Sequence, residues 1–192
     1  MKKIKIKKNE NAVMKGIYTI TKAEIKTPSQ WKLHDKIVEL KRQGKDYIKL
    51  VRKLNRDCFS VEYVYHNIIP TVGRTLIANN FTAISPDNTM LINYIAVGTG
   101  STAVNNADTK LDTELDRNQT ASRTNSNNIG YVTGFYSASE AIGTLKEAAM
   151  FSDAIDAIDD GILISRVLLN APTGIAKTAI STFTVDWILT IS

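Results

Sequence analysis

The clearest periodicity lies at the end of the chain. In STFTVDWILTIS, Phe183, Val185, Trp187, Leu189 and Ile191 recur at every second position. Thr182, Thr184, Asp186 and Thr190 take the other parity, with Ile188 the one apolar interruption. A period of two predicts a strand with one face in a core and the other in water, as in an antiparallel sheet. Similar short runs come before it. GIYTITKAEIK at 16–26 alternates, with Tyr18 and Ile20 opposed to Ile17, Thr19 and Thr21. LINYIAV at 91–97, IGYVTGFY at 129–136, a run at about 143–151 and ILISRVLL also read as strands. KKIKIKK at 2–8 puts Ile4 and Ile6 on one face and suggests a lysine-rich edge strand or arm.

Two segments carry a helical period. Thr27-Pro28-Ser29-Gln30 combines a capping threonine, a proline suited to the first helical position and a glutamine completing a capping box. Trp31, Leu33, Ile37, Val38 and Leu40 follow at helical spacing, and Gly44 suits the C-terminal cap. This predicts a helix over 28–43. TVGRTLIANNF at 71–81 predicts a short helix with Leu76, Ile77 and Phe81 inward. Residues 46–56 fit both periods. Tyr47, Leu50, Val51 and Leu54 suit a helix, while Ile48, Leu50 and Leu54 suit a strand. With NRD before the alternating CFSVEYVYHN, a hairpin of 46–54 and 58–66 is the favoured reading. The fold class expected is mainly β with minor α: an antiparallel β-sandwich plus an N-terminal helix and a short helix near 71–81.

Charge divides the chain. Residues 1–57 carry 17 Lys and Arg against 6 Asp and Glu, and the remainder carries 7 against 13. A basic N-terminal region of 1–65, built as strand, helix and hairpin, is therefore expected to pack on or dock with a main domain at 66–192. Aromatics are not interleaved with the first lysines, which argues against nucleic acid as a partner. At 192 residues and 43% hydrophobic, the chain can bury a core without a membrane-length apolar run. The single cysteine, Cys58, gives no disulfide framework, and the N-terminus lacks the apolar segment of a secretory signal.

Candidate chemistry is thin. VGTGS at 97–101 lacks the lysine of a P-loop and the third glycine of a dinucleotide turn, so Gly98 and Gly100 read as a tight turn. Asp153, Asp156 and Asp159 are spaced by three, Asp160 follows directly, Ile155 and Ile158 lie between, and the run reads as a solvated connection. His34 stands among charges on its helix. His66 and Cys58 are eight residues apart on one strand, more than about 20 Å when extended. Glu140 reads as a loop residue. Glu147 reads as structural, bonding backbone amides of the turn after it. Leu111 and Leu115 read as anchors for the polar loop at 98–118. No catalytic, cofactor-binding or metal-ligating set emerges, and an enzyme is not expected.

The order of these pieces carries a resemblance. HNIIPTVGRTLIANNF, NYIAVGTGSTAVNNADTKLDTEL, a strand ending GFY, GTLKEAAMF, LISRVLL and TFTVDWILTIS together resemble a recurrent β-sandwich module of tailed bacteriophages. In that family an HN start leads to a short helix, a YIAxGTG strand and a DTxLxxEL loop; an EAGLF-like segment precedes the last two strands. Here the segment is Glu147-Ala148-Ala149-Met150-Phe151, with alanine in place of the usual glycine. The match spans residues 66–192. It implies a non-enzymatic virion structural protein of the neck, collar, tail or fibre, assembled in the host cytoplasm in several copies. Its partners would be other virion proteins and copies of itself, with no small-molecule substrate, cofactor or membrane. A receptor- or glycan-binding module at a tail or fibre tip is the alternative. Contacts are expected from Lys2, Lys3, Lys5, Lys7 and Lys8 and from Asn105, Asn106 and Asp108. Removal of residues 1–26 is expected to leave a folded domain that fails to join the particle.

Overall fold

The computed structural model describes residues 14–82 and 90–191. The lysine-rich segment at 2–8 and the loop at 84–88 lie outside the described residues. The chain is mainly β with minor α, and its strands pair antiparallel. Met14–Glu24 (β1), Phe59–His66 (β2), Ser122–Ser126 (β5), Ile129–Tyr136 (β6) and Ser181–Ile191 (β11) form one sheet in the order β2-β1-β11-β6-β5. Ile92–Gly98 (β3), Glu114–Gln119 (β4), Glu147–Ser152 (β8) and Ile162–Leu168 (β9) form the second, in the order β4-β3-β8-β9. Gly143–Leu145 (β7) and Ile175–Lys177 (β10) make a small ribbon.

The core between the sheets takes alternate side chains from both. Tyr18, Ile20, Val132, Phe183, Val185 and Trp187 face Ile95, Val97, Met150, Ile164 and Val167. This is the period-two signal of the last strand realised at Phe183, Val185 and Trp187; Leu189 is half-buried and Ile191 is exposed. The opposite parity is not left to water. Thr182 and Thr184 are fully buried because helices cover that face. Pro28–Arg42 (α1) and Ile48–Asp57 (α2) pack there through Ile37, Tyr47, Val51 and Leu54 against Phe135 and Ala138.

α1 begins as its sequence dictates. Gln30 N–H donates to Thr27 Oγ1 at 3.3 Å, and the Gln30 side-chain oxygen accepts from Thr27 N–H at 3.0 Å. Gly44, at φ +64°, takes the left-handed position that follows the helix.

α2 corrects the hairpin expected at 46–54. Tyr47, Val51, Leu54 and Cys58 fall on one helical stripe and are all buried. Lys53 and Asp57 pair one turn apart on the outside at 2.8 Å. A strand would have set Val51 on the same face as Lys49 and Lys53, whereas the helix separates them.

Two inward assignments also change. In Thr71–Thr82 (α3) the buried positions are Gly73 and Leu76, and Phe81 is 82% exposed. The helix presses its glycine onto β9, where a β-carbon would meet Leu163 O at 2.9 Å and Ile164 O at 3.0 Å. That contact rotates Phe81 outward. Leu111 is buried as expected, but Leu115 is 39% exposed, beside the register shift between β3 and β4. The turn-rich stretch also holds β4, whose polar sequence ELDRNQ gave no alternation to read.

β1 is an inner strand, bonded to β11 on one side and β2 on the other. Tyr18 and Ile20 on it are wholly buried. Residues 1–26 are therefore not removable, in contrast to the sequence expectation. A chain starting at residue 27 should show no cooperative thermal transition by circular dichroism. Retention of a sharp transition would contradict this placement.

Candidate functional site

The polar residues that invite a chemical reading converge on the outer face of the second sheet. There Tyr94, Ala96, Ala149, Phe151 and Leu163 form a third apolar layer, capped by Leu111 and Ala154 from two loops. The loop of residues 99–113 lies over this layer, and one carboxylate holds it. Glu147, at the start of β8, is fully buried. Its Oε1 accepts from Gly100 N–H at 3.1 Å and Thr113 N–H at 2.8 Å, and its Oε2 from Asp112 N–H at 3.0 Å. The sequence reading of Glu147 as an amide-bonding residue is right in kind. The amides belong to the loop before it in the chain, not the turn after it.

Arg166, 2% exposed on β9, completes the arrangement. Its guanidinium lies 2.9 Å from Glu147 Oε2 and 2.6 Å from Asp108 Oδ2, and donates to Thr102 O at 3.0 Å. Asp112 accepts from Ser101 N–H, Thr102 N–H and the Thr102 hydroxyl. These bonds from Thr102 hold its carboxyl below the ordinary value. Gly98 and Gly100 are explained by the same carboxylate. A β-carbon on either would overlap Glu147 Oε1 and a neighbour: Thr113 O for Gly98, the Asp112 side chain for Gly100. The GTG turn thus lets backbone approach a protein carboxylate, not a phosphate.

A second buried pair ties the other loop. Arg117 contacts Glu114 Oε1 at 2.5 Å and donates to Ile155 O and Asp160 O at 3.1 and 3.0 Å. The acidic run at 153–160 is thereby fixed: Asp160 accepts from Ile155 N–H, and Asp159 pairs with Lys110 at 2.7 Å. Among the described residues no group of three His, Cys, Asp or Glu is placed to hold a metal ion.

The remaining candidates are scattered. His34 is buried, not exposed among charges: its Nε2 accepts from Ala138 N–H at 3.1 Å, so it joins α1 to the sheet. Cys58 is buried before β2 and His66 ends that strand, opposite Ile17, so they are not brought together. Burial and the Asp57 carboxylate push the Cys58 thiol up, away from nucleophilic character. Asn105 and Asn106 are exposed at the loop tip, where Asn106 O accepts from Thr71 N–H at the start of α3. Asp108 is committed to Arg166. Lys2, Lys3, Lys5, Lys7 and Lys8 lie outside the described residues.

A cleft of about 340 Å³ separates the α1–α2 turn from β4. Tyr47 and Tyr94 line it but are only 8% and 7% exposed, which leaves little ring face for a sugar. Lys41 there is paired with Glu140 at 2.6 Å. Behind it Lys177 is 2% exposed and reaches Ala138 O at 3.4 Å. Burial pulls its amine from its ordinary 10.5 down to about 8, against the opposing pull of Glu140 and Asp116.

Sequence reasoning passed over Arg166, Arg117 and Glu114. A signal was present: an arginine inside the apolar run LISRVLL must find a counter-charge once buried.

Two outcomes follow. Glu147→Gln should cost about 3–5 kcal/mol in denaturant unfolding, because it leaves Arg166 without one of its two carboxylates and removes charge from the three amide bonds. Adding Arg166→Met should cost less than the two single changes summed; strict additivity would mean the two groups are not coupled. For Lys177, the folded chain binds fewer protons than the unfolded chain between pH 8 and 10.5, so its contribution to stability rises with pH through that window. Lys177→Met should therefore stabilise the protein at pH 7 by up to about 3 kcal/mol, with the gain vanishing above pH 10.5. A pH-independent difference would contradict burial as the cause.

Comparison with family models, with curated proteins and with solved structures finds no match to this chain.

Proposed function

We propose that this protein is a non-enzymatic structural component of a tailed-phage virion. It would assemble in several copies at the neck, tail or fibre attachment region through protein–protein contacts. The observation that carries the reading is where the signature residues lie. Gly98, Gly100, Asp112 and Thr113 from one piece of the resemblance, Glu147 from a second and Arg166 from a third meet in one cluster around the Glu147 carboxylate. The motif therefore encodes a way of fastening a loop to a sheet. A signature made of fastening residues suits a module whose work is to present a fixed shape. Dense, buried anchoring also suits a particle component, which must hold its form outside a cell.

Antibody raised against the purified chain should label intact particles from a lysate of the producing host in negative-stain images. The protein should also co-sediment with particles after nuclease treatment and a high-salt wash. Absence of label, with all of the protein in the particle-free fraction, would overturn the assignment. Glycan-array binding by the isolated chain would instead favour the receptor-binding alternative.

A further inference from the structure

β2 closes one side of the five-stranded sheet, and among the described residues no strand pairs with its outer side. Its apolar side chains are unusually open: Phe59, Val61 and Val64 are 64%, 37% and 63% exposed. The opposite edge, β5, reads SRTNS and carries no such residues. Lysine and proline, the usual guards of an edge, are absent from FSVEYVYH, whose one carboxylate is Glu62.

The phase of pairing shows which backbone groups point out. Just beyond β2, Asn67 N–H donates to Gly16 O at 3.3 Å. Bonded and non-bonded pairs alternate along an antiparallel ladder. Phe59, Val61, Tyr63 and Tyr65 therefore turn their amides and carbonyls toward β1, and Ser60, Glu62, Val64 and His66 turn theirs outward.

We propose that this edge is a two-fold interface with a second copy of the chain. The two β2 strands pair antiparallel, with Val64 opposite Val64 and each Glu62 opposite the partner subunit's His66. The strand's own sequence selects this occupant and register. A two-fold axis normal to the sheet requires opposed residues to share a face, and the ladder requires outward groups to meet. Centring on Glu62 sets two carboxylates against each other, and centring on Tyr63 sets each carboxylate against Val64. Centring on Val64 buries the 63% exposed valine against its copy and gives each carboxylate an imidazole. On the other face it sets Tyr63 opposite the partner's Tyr65, extending a stack whose rings already lie 6.4 Å apart at 9° within one strand. About six main-chain hydrogen bonds would join the copies. This proposal stands apart from the virion reading, because it concerns the isolated chain.

Sedimentation velocity on the full chain at about 100 µM should show a dimer. Val64→Lys should show a monomer with an unchanged far-ultraviolet spectrum, because it opposes two ammonium groups across the axis. In a Cys58→Ala background, Val64→Cys should form a disulfide-linked dimer in air, since bonded antiparallel pairs bring α-carbons within about 5.5 Å. Ser60→Cys in that background should not. A monomeric wild-type chain, a dimeric Val64→Lys chain, or equal cross-linking at Ser60 and Val64 would each overturn the proposal. So would loss of the dimer in Ile4→Lys/Ile6→Lys, which would make the N-terminal segment the occupant of the edge.

Discussion

One buried ion pair governs the outer half of this molecule. Glu147 and Arg166 stand side by side on adjacent strands, 0% and 2% exposed, where neither charge could remain without the other. Their mutual attraction alone does not compensate for leaving water. Backbone does the rest, with three loop amides directed at Glu147 and one loop carbonyl, with Asp108, at Arg166. The loop completes the solvation of the pair, and the pair fixes the course of the loop. Neither arrangement is sensible without its counterpart.

The architecture follows from that mutual dependence. A two-sheet sandwich normally leaves its outer faces half in water. Here both are covered, one by α1 and α2 and the other by loops pinned through Glu147 and through Arg117. Non-regular chain can act as a layer only when its polar backbone is satisfied. Buried carboxylates and guanidinium groups supply that satisfaction without adding a strand. Among the described edges of the five-stranded sheet, β2 is the one that carries exposed apolar side chains.

Strands and caps with strong local signals were legible in the sequence. The Thr27–Gln30 box, the alternation of β11 and the buried run of β3 each depend on neighbours in the chain. What escaped was set at longer range. The segment at 46–56 satisfied two periods, and only the sheet beneath it, with Phe135 and Ala138 waiting for Val51 and Leu54, chose the helix. Thr182 and Thr184 read as solvent-facing because the helix that buries them lies far away in sequence. β4 was invisible because an edge strand paired on one side needs no apolar alternation. Glu147 was assigned its chemistry but the wrong amides, since nothing local shows that the loop folds back. The arginine inside LISRVLL was the one long-range signal open to sequence reasoning.

Amide hydrogen exchange at Gly100, Asp112 and Thr113 tests the central claim most directly. If the buried pair anchors the loop, these three amides exchange only when the whole domain unfolds, with the same free energy as the central strands. Glu147→Gln then lowers their protection together. Rapid exchange of the three amides in the native protein, while β3 and β8 remain protected, would show that the loop lies loosely over the sheet and that the pair does not hold it.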